Sequence, residues 1–443
     1  MSGLPAGWAL ASIDQVAEVL DHLRQPINNT ERSARLQAST GKTYPYFGAT
    51  GQAGLIDDFV FDEDLVLLGE DGVPFLDPAK AKAYRVSGPC WVNNHAHVLR
   101  VRPDVADWRL ACHALNALDY TDLVTGSTRL KLTQEAMKRI QLPLAPRAEQ
   151  QRIADKLEAV LGRVDACRDR LDRVGPLLQR FRQSVLSAAV SGRLSEDDRA
   201  AKKWPAWKSI KIVDVTLDLR YGTSKKCDYA RRGHGVLRIP NIGARGSVEM
   251  GDLKFAEFDA SEVEKLALRA CDLLVVRSNG SVDLVGRVAI VPAAAAGLLY
   301  AGYLMRLRVD QTLVHPAYAR IALAEPAQRV RIERISKSTS GVNNINAEEL
   351  RSLPMALPDL DEQVVIVRKV NMLMAWVDRL EARLVSAQTA ADRLTPSVLA
   401  KAFRGELVPQ DPADEPAQAL LDRLRAARAS EPPGRRRRQP AGA

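Results

Sequence analysis

Residues 149–194 read EQQRIADKLEAVLGRVDACRDRLDRVGPLLQRFRQSVLSAAVSGRL, and the same pattern recurs without a gap at residues 362–407. Glu149-Gln150 aligns with Glu362-Gln363 at the start of the two copies, and Gly192-Arg-Leu aligns with Gly405-Glu-Leu at their ends. A repeat constrains the architecture more strongly than any single motif does. Two copies this far apart predict two similar half-molecules rather than a solenoid.

Both copies place apolar residues at alternating steps of four and three. In the first copy they are Ile153, Leu157, Val160, Val164, Cys167, Leu171, Val174, Leu178, Phe181 and Val185. In the second copy they are Ile366, Val370, Leu373, Val377, Leu380, Leu384, Ala387, Ala391, Leu394 and Val398. A sustained period of 3.5 residues predicts a coiled coil, here of two helices of about 37 residues and roughly 55 Å each. We expect the two helices to pack on each other, antiparallel if an internal two-fold axis relates the halves. The alternative is that each helix packs on its own globular half.

The first copy contains Gly175-Pro176 within its heptads. Proline lacks an amide donor and crowds the carbonyl four residues earlier. The sequence therefore predicts a kink or a short break there, with no counterpart in the second copy before Pro396.

Composition indicates a globular protein of two or three domains. The chain has 443 residues, of which 46% are hydrophobic. Its five cysteines stand singly, which is typical of a reducing cytosol and argues against a cysteine zinc site. We find no signal peptide or bilayer-length apolar run and expect a cytoplasmic protein. Its 63 basic and 54 acidic residues give a net charge of +9, which fits a polyanionic partner. Part of that charge lies in Arg435–Arg438, which we expect to be disordered.

The predicted order is globular part, helix, globular part, helix and tail. The predicted segments are 1–146, 147–194, 195–358, 359–407, and 408–443 as a C-terminal helix with a basic disordered tail. Both globular parts begin alike, since Trp8, Ile13 and Val16 match Trp207, Ile212 and Val215, whereas the stretches that follow look different. Short β-branched runs between Gly, Asn and Asp predict strands, and residues 107–118 and 316–334 predict helices. The fold class is therefore α+β, with a pseudo-two-fold repeat.

No motif for catalysis is complete. Thr40-Gly-Lys-Thr43 lacks the glycine that a phosphate-binding loop needs at position 36, which is Leu36. His95 and His97 share a strand face without further ligands, so structural roles are favoured over zinc. The acidic run between Asp57 and Asp71 has no nearby lysine of a two-metal nuclease, and no stretch is suited to hold a flipped base. We therefore assign no catalytic residue and no metal ligand.

Polar and basic loop residues remain as candidates for contacts with a ligand. In the first half they are Lys42, Tyr46, Thr50, Gln52, Asn93, Asn94, His95, Arg100 and Arg102. In the second half they are Lys225, Lys226, Arg231, Arg232, Arg238, Asn241, Arg245, Arg277, Ser278, Asn279, Lys337 and Ser338. Arginine suits guanine, asparagine and glutamine suit adenine, and lysine and serine suit phosphates, so a DNA interface is one hypothesis. An ordinary solvated surface is the alternative for each residue.

The chain resembles the specificity (S) subunits of Type I restriction-modification enzymes. The resemblance covers nearly the whole chain and rests on several stretches in the order of the family. They are residues 44–51 (YPYFGATG), 56–59 (IDDF), 69–72 (GEDG), 91–99 (WVNNHAHVL) and 340–346 (SGVNNIN), the junctions at Glu149-Gln150 and Glu362-Gln363, and the helix exits at Gly192 and Gly405.

The resemblance implies two target recognition domains, each reading one half of a bipartite DNA site, joined by two antiparallel spacer helices. It also implies two methyltransferase subunits that bind S-adenosylmethionine, restriction subunits that use ATP and Mg²⁺, and no cofactor on this chain. Two alternatives stay open. One is a self-contained methyltransferase or nuclease, and the other is a coiled-coil scaffold that does not bind DNA.

Overall fold

The computed structural model of the chain describes residues 3–336 and 341–430, with side chains up to residue 426. Contacts divide it into two compact units, Met1–Leu171 with Val385–Ala443, and Asp172–Leu384. Each unit contains one globular part and half of each long helix. The predicted segment boundaries stay predictions, because the contacts divide the chain within the two helices rather than at their ends. Lys337, Ser338 and the tail at Arg435–Arg438 lie outside the described residues.

Both globular parts combine strands with short helices. The strands of the first part are β1 (Ala9–Ser12), β2 (Ala17–Val19), β3 (Tyr44–Gly48), β4 (Gly51–Ile56), β5 (Phe61–Asp62), β6 (Leu65–Gly69), β7 (Ala83–Val86), β8 (Pro89–Val92), β9 (Ala96–Val101) and β10 (Gln141–Leu144). The strands of the second part are β11 (Lys208–Lys211), β12 (Thr216–Tyr221), β13 (His234–Leu237), β14 (Lys254–Ala256), β15 (Leu273–Val276), β16 (Ser278–Asn279), β17 (Val288–Ile290), β18 (Leu299–Tyr300), β19 (Leu304–Val309), β20 (Asn343–Asn344) and β21 (Pro354–Leu357). The α-helices are α1 (Ile13–Val16), α2 (Asn29–Ala38), α3 (Trp108–Ala117), α4 (Gln134–Lys138), α5 (Arg147–Val190), α6 (Glu196–Lys202), α7 (Ala260–Leu266), α8 (Pro316–Ala324), α9 (Pro326–Ser336), α10 (Ala347–Ser352), α11 (Leu360–Phe403) and α12 (Ala417–Ser430). The predicted helix at 316–334 is wrong in its continuity, because Pro326 begins a new helix.

The two globular parts share most of their strand order, apart from β5 in the first part and the pair β16-β20 in the second. The first has a four-stranded sheet β2-β9-β6-β7, a second sheet β4-β3-β8-β5 and the pair β1-β10. The second has the sheet β12-β19-β15-β17, the sheet β14-β13-β18 and the pair β11-β21. The parallel pairing of β3 with β8 matches that of β13 with β18. The repeat therefore extends well beyond the predicted anchors, and the α+β fold class with an internal repeat is confirmed.

The repeated Glu-Gln pair ties each long helix to its globular part. Trp8 Nε1 donates to Glu149 Oε2 at 3.1 Å, and Trp207 Nε1 donates to Glu362 Oε2 at 2.9 Å. Gln150 accepts from the Asp107 amide at 2.8 Å, and Gln363 accepts in the same way from the His315 amide at 2.7 Å. All four Glu-Gln side chains are buried. Since a buried polar group is costly without a partner, these bonds fix how each helix leaves its globular part.

In the first unit the long helices pack antiparallel. Ile153 and Leu157 of α5 share a core cluster with Leu399 and Ala402 of α11. Further along α5, Arg168 donates to the carbonyl of Ala391 at 3.0 Å. Residue numbers therefore rise on one helix as they fall on the other, as the sequence predicts.

The second unit has the same antiparallel pairing. The rings of Phe181 and Trp376 lie 5.8 Å apart, and Arg182 Nε is 3.0 Å from Glu381 Oε1. Val185 shares a core cluster with Ile366 and Val370. The predicted antiparallel coiled coil is thus confirmed in each unit.

The heptad seam is less continuous than predicted. Cys167 is exposed, and Leu394 remains 46% exposed. Near Cys167 the contact is made by the Arg168 guanidinium, which lies 3.4 Å from Asp392 and reaches the α11 backbone. A two-helix pair covers each helix from one side only, so a residue at the edge of the seam stays in solvent.

The predicted break at Gly175-Pro176 does not occur, because α5 continues through Pro176, whereas a kink there stays a prediction. Proline in a helix interior costs about 3 kcal/mol relative to alanine. We expect Pro176→Ala to raise the melting temperature by several degrees in calorimetry. Gly162→Ala on the same helix is the control, because a Cβ there meets nothing within 4 Å and gains only the propensity difference of about 1 kcal/mol. A Pro176→Ala variant no more stable than Gly162→Ala would contradict this account.

His95 and His97 lie in different surroundings. His97 is buried and lies 2.6 Å from Asp21 Oδ2 and 2.9 Å from the Leu132 carbonyl, which is a structural role. His95 lies in a turn rather than on the strand.

Within residues 3–336 and 341–430, no helix combines the length and apolarity needed to cross a membrane.

Candidate nucleic-acid interface

The first globular part has a cleft of about 370 Å³ where β3, β6 and β8 end. It brings together four of the predicted site residues, Thr50, Gln52, Asn93 and His95. Thr50 and Gln52 come from the tight β3–β4 turn, in which Gly51 has a φ of 138° that favours glycine. The cleft therefore presents amide, hydroxyl and imidazole groups on one surface.

Asp71 organises the wall of this cleft. Its Oδ1 lies 2.9 Å from His95 Nδ1 and 2.7 Å from Arg129 Nη2. The side-chain Oδ1 of Asn93 accepts a hydrogen bond from the backbone N–H of His95 at 2.9 Å. The backbone N–H of Asn93 donates to the Phe47 carbonyl at 3.0 Å. These bonds fix the loop after β8, so its side chains are positioned before any ligand binds.

Tyr46 supports the cleft from below instead of lining it. Its ring is buried beside Ile56 and Trp91, and its hydroxyl donates to the Ile27 carbonyl at 3.3 Å. Burial raises the pKa of Tyr46, and a hydrogen bond with Asn93 opposes that rise. We correct its assignment from a contact residue to a core residue.

The second globular part has a larger cleft of about 680 Å³, where β12, β13, β15 and β18 end. It brings together the predicted residues Lys225, Arg238, Arg277 and Ser278. Tyr221, Lys254 and Tyr303 join them, and Tyr303 is 63% exposed. A basic surface with exposed aromatic rings is typical of nucleic-acid contacts.

Several contacts fix the position of the Arg277 side chain in the second cleft. Its guanidinium carbon lies 4.4 Å from the centre of the Tyr221 ring. Its Nε donates to Asn344 Oδ1 at 3.1 Å, and its Nη1 donates to the Gly302 carbonyl at 3.4 Å. Nη2 has no partner among the described residues. The side chain is therefore pre-oriented with donors left for a ligand, as base recognition requires.

The other cations of the second cleft pair with carboxylates or rings. Arg238 Nη2 lies 2.7 Å from Asp252 Oδ2, and Lys225 Nζ lies 2.9 Å from Glu262 Oε2. Lys254 Nζ lies 4.9 Å from the ring centre of Tyr229, which is 61% exposed. These partners hold the side chains in place but also reduce their free positive charge.

The two clefts occupy equivalent positions in the repeat. The first is lined by residues that follow β3, β6 and β8, and the second by residues that follow β13, β15 and β18. Since most of the strand order is shared, each globular part presents the same end of its sheets with different side chains. The first cleft is rich in amides and the second in arginine, lysine and tyrosine.

The remaining candidates lie outside the two clefts. Asn241 is buried and donates to two carbonyls of its own loop, and its assignment is corrected to a structural role. Arg100 pairs with Glu63 at 2.6 Å and Glu18 at 3.0 Å, and Arg245 pairs with Asp378 at 2.9 Å and Glu381 at 2.6 Å. The others outside the clefts are Lys42, Asn94, Arg102, Lys226, Arg231, Arg232 and Asn279.

Several lining residues were missed by sequence reasoning, among them Arg129, Tyr221, Lys254 and Tyr303. Arg129 reaches the first cleft from a loop far along the chain, and no local signal marks it. Tyr221, Lys254 and Tyr303 line the second cleft. The exposed aromatic residues beside glycine or basic residues, in Arg220-Tyr221 and Gly302-Tyr303, are the signal that a search for stacking platforms would have found. Within the described residues, no group of three or more His, Cys, Asp or Glu side chains is placed to hold a metal ion.

Comparisons with known proteins identify the family. A family model described as the Type I restriction modification DNA specificity domain matches residues 5–173. The specificity subunit of the Type I restriction enzyme EcoKI from Escherichia coli (strain K12) is 34% identical over 320 residues, which are 70% of this chain and 68% of that protein. The chain belongs to the specificity subunits of Type I restriction enzymes.

The family likeness extends over both halves of this specificity subunit. The EcoBI specificity subunit of Escherichia coli is 29% identical and covers 96% of this chain and 93% of its own length. A chain from a structural study of complex assembly and conformational transition in the type I R-M system has a TM-score of 0.62 at 17% identity, and covers 92% of this chain and 100% of its own. That likeness supports the fold, including the second half that the family model does not reach.

Proposed function

We propose that this chain is the DNA sequence-specificity subunit of a Type I restriction-modification system, and that each globular part reads one half of a bipartite DNA site. The observation that carries the proposal is the pair of clefts at equivalent strand ends of a repeated fold. The same fold presents a different set of hydrogen-bond donors and acceptors in each cleft. A protein that recognises two unrelated half-sites requires such a difference. Family membership supports the same function.

The composition of the clefts supports different targets for the two halves. Asparagine and glutamine suit adenine in the major groove, and arginine suits guanine. The first cleft presents Gln52 and Asn93, whereas the second presents Arg238 and Arg277. We infer that adenine contributes more to the first half-site and guanine to the second.

The proposed partners are two methyltransferase subunits and ATP-dependent restriction subunits. S-adenosylmethionine would bind to the methyltransferase subunits, and ATP and Mg²⁺ to the restriction subunits, so this chain would carry no cofactor and no catalytic residue. This chain would hold the duplex in a fixed register. An enzyme that flips a base out of the duplex needs the DNA held in this way.

The decisive experiment maps methylated adenines. The chain is co-expressed with the methyltransferase subunits of its own system in a host without other adenine methylation. We expect one split sequence motif to be methylated, and we expect it to disappear when this chain is omitted. A methylation pattern that persists without the chain would overturn the proposal.

Binding and activity tests separate this function from the alternatives. The complex should bind the mapped site with an affinity that falls steeply with salt, because phosphate contacts release counterions. The chain alone, given Mg²⁺, ATP and S-adenosylmethionine, should neither cleave nor methylate DNA. Metal-dependent cleavage by the chain alone would favour a self-contained nuclease.

A further inference from the structure

A third cleft lies in the second unit, apart from the clefts at the strand ends. Its volume is about 430 Å³. Leu186 of α5 and Met374 of α11 form part of its apolar floor together with Val288 of the globular part. Its charged lining residues are Arg182, Arg245, Arg287, Arg320, Arg329, Asp283 and Asp378. The cleft therefore combines an apolar floor with an excess of arginine.

Two of the five arginines are neutralised by the long helix. Arg182 Nε lies 3.0 Å from Glu381 Oε1 and also pairs with Asp378. Arg245 lies 2.9 Å from Asp378 and 2.6 Å from Glu381. Two guanidinium groups thus share two carboxylates, and this set carries no net charge.

The other three arginines lack comparable neutralisation. Arg287 donates to the Ile242 carbonyl at 3.5 Å. Arg329 donates to the Val285 and Asp283 carbonyls at 2.6 and 3.0 Å, and its nearest carboxylate, that of Glu333, lies 3.7 Å away. Arg320 makes no hydrogen bond or ion pair with the described residues, and its burial lowers its pKa.

The fold makes room for Arg320 in this position. A Cβ on Gly246 would stand 2.8 Å from Arg320 Nη1 and 2.9 Å from its Cδ, and Gly246 has a φ of 79°. The positive φ favours glycine at this position, and a Cβ there would also displace the Arg320 side chain. The Arg320 guanidinium therefore lies half-buried in the cleft without a carboxylate partner among the described residues, so its donors remain for an anionic ligand.

From this arrangement we propose that the third cleft binds a small phosphate-bearing ligand of the nucleoside monophosphate class. Its phosphate would lie among Arg287, Arg320 and Arg329, because guanidinium groups bind phosphate through paired donors. Its base would pack on Leu186, Val288 and Met374. A volume of about 430 Å³ is sufficient for a ligand of this size.

The test uses the full chain with AMP as the probe, and adenosine, inorganic phosphate and KCl at equal ionic strength for comparison. We expect saturable AMP binding in calorimetry and a saturable rise in melting temperature, since the ligand would join groups on α5, on α11 and on the globular part. Adenosine should bind at least tenfold more weakly, and KCl should produce no saturable shift.

Two variants and a control locate the site. Arg320→Gln and Arg287→Gln should each weaken AMP binding at least tenfold, whereas Arg269→Gln, an exposed arginine outside the cleft, should not change it. Without AMP, Arg320→Gln should melt at the same or a higher temperature, because it removes a half-buried charge that has no ion-pair partner among the described residues. This readout shows directly whether the variant folds.

Three outcomes would overturn the proposal: no saturable binding of AMP, equal binding by Arg320→Gln and Arg269→Gln, or weaker duplex binding by Arg320→Gln without any AMP binding. The last outcome would assign the cleft to the DNA surface. The proposal is independent of the proposed function, since the methylated motif should persist in both cleft variants.

Discussion

Glutamine in place of Glu362 should lower the melting temperature sharply, whereas glutamine in place of Glu149 should leave it unchanged or raise it. The two residues are equivalent in the repeat, and each accepts a hydrogen bond from the equivalent tryptophan. The two carboxylates differ in their ion pairs. Glu362 pairs with Arg199, whereas Glu149 has no ion-pair partner among the described residues.

Glu362 is buried and has a partly exposed counter-charge. It is fully buried and lies 2.7 Å from Arg199 Nη2, and Ser195 Oγ donates to its Oε1 at 2.6 Å. The Arg199 guanidinium also lies 4.9 Å from the Trp207 ring centre. Removing one charge of a fully buried pair costs about 3–5 kcal/mol, and solvent screens part of that loss here because the Arg199 side chain is 28% exposed. We expect the loss to be near the lower end, because glutamine retains one acceptor oxygen.

Glu149 has no ion-pair partner within 4.0 Å among the described residues. Burial raises the pKa of Glu149 from its usual 4.5, while the bond from Trp8 and the charge of Arg152 oppose the rise. The folded state therefore holds this proton more tightly than the unfolded state does. The stabilisation that the protonated carboxyl provides is lost as the pH rises from 4.5 through the raised pKa.

Calorimetry at several pH values tests both statements. At pH 7 Glu149→Gln should melt at or above the temperature of the unmodified protein, and any difference should shrink towards pH 4, where Glu149 is protonated. Glu362→Gln should melt several degrees lower at pH 7. Equal losses for the two variants would show that the tryptophan bond, rather than the cation, dominates both sites.

The sequence predicted the long helices well because their signal is local and repeated many times. The steps of four and three along α5 and α11 are visible in either copy alone, and the match of Glu149 with Glu362 indicated their common start. What the sequence did not reveal was the partner of each carboxylate. Arg199 reaches Glu362 from α6, and nothing in the spacing of these residues predicts that contact.

The seam and the globular parts show where local patterns fail. Cys167 and Leu394 continue the heptads but stay exposed, because burial depends on the facing helix. The shared strand order of the two globular parts was not predicted, since the sheets form from distant pairings such as β3 with β8. The residue types alone also could not show that Arg277 lines a cleft whereas Asn241 is buried and supports a loop.

Glutamine in place of Arg277 should relax recognition in one half of the DNA site only. Arg277 is held by Tyr221, Asn344 and Gly302 with donors left free, the arrangement suited to a bidentate contact with guanine. Losing one such contact costs about 1–3 kcal/mol of discrimination, roughly 5- to 150-fold between the correct and the wrong base. Mapping of methylated adenines should show that the motif accepts more than one base at one position. That position should lie in the half-site read by the second globular part.

Arg269→Gln is the matched control, because Arg269 precedes β15 whereas Arg277 follows it, and the two side chains belong to opposite ends of one strand. It removes the same charge and should leave the motif unchanged. Tyr221→Ala keeps the guanidinium but removes the ring beneath it, so it should weaken discrimination at the same position by less than Arg277→Gln does. If Arg277→Gln instead lowered methylation equally at all sites, Arg277 would be a phosphate contact. Degeneracy in the other half-site would show that the clefts had been assigned to the wrong halves.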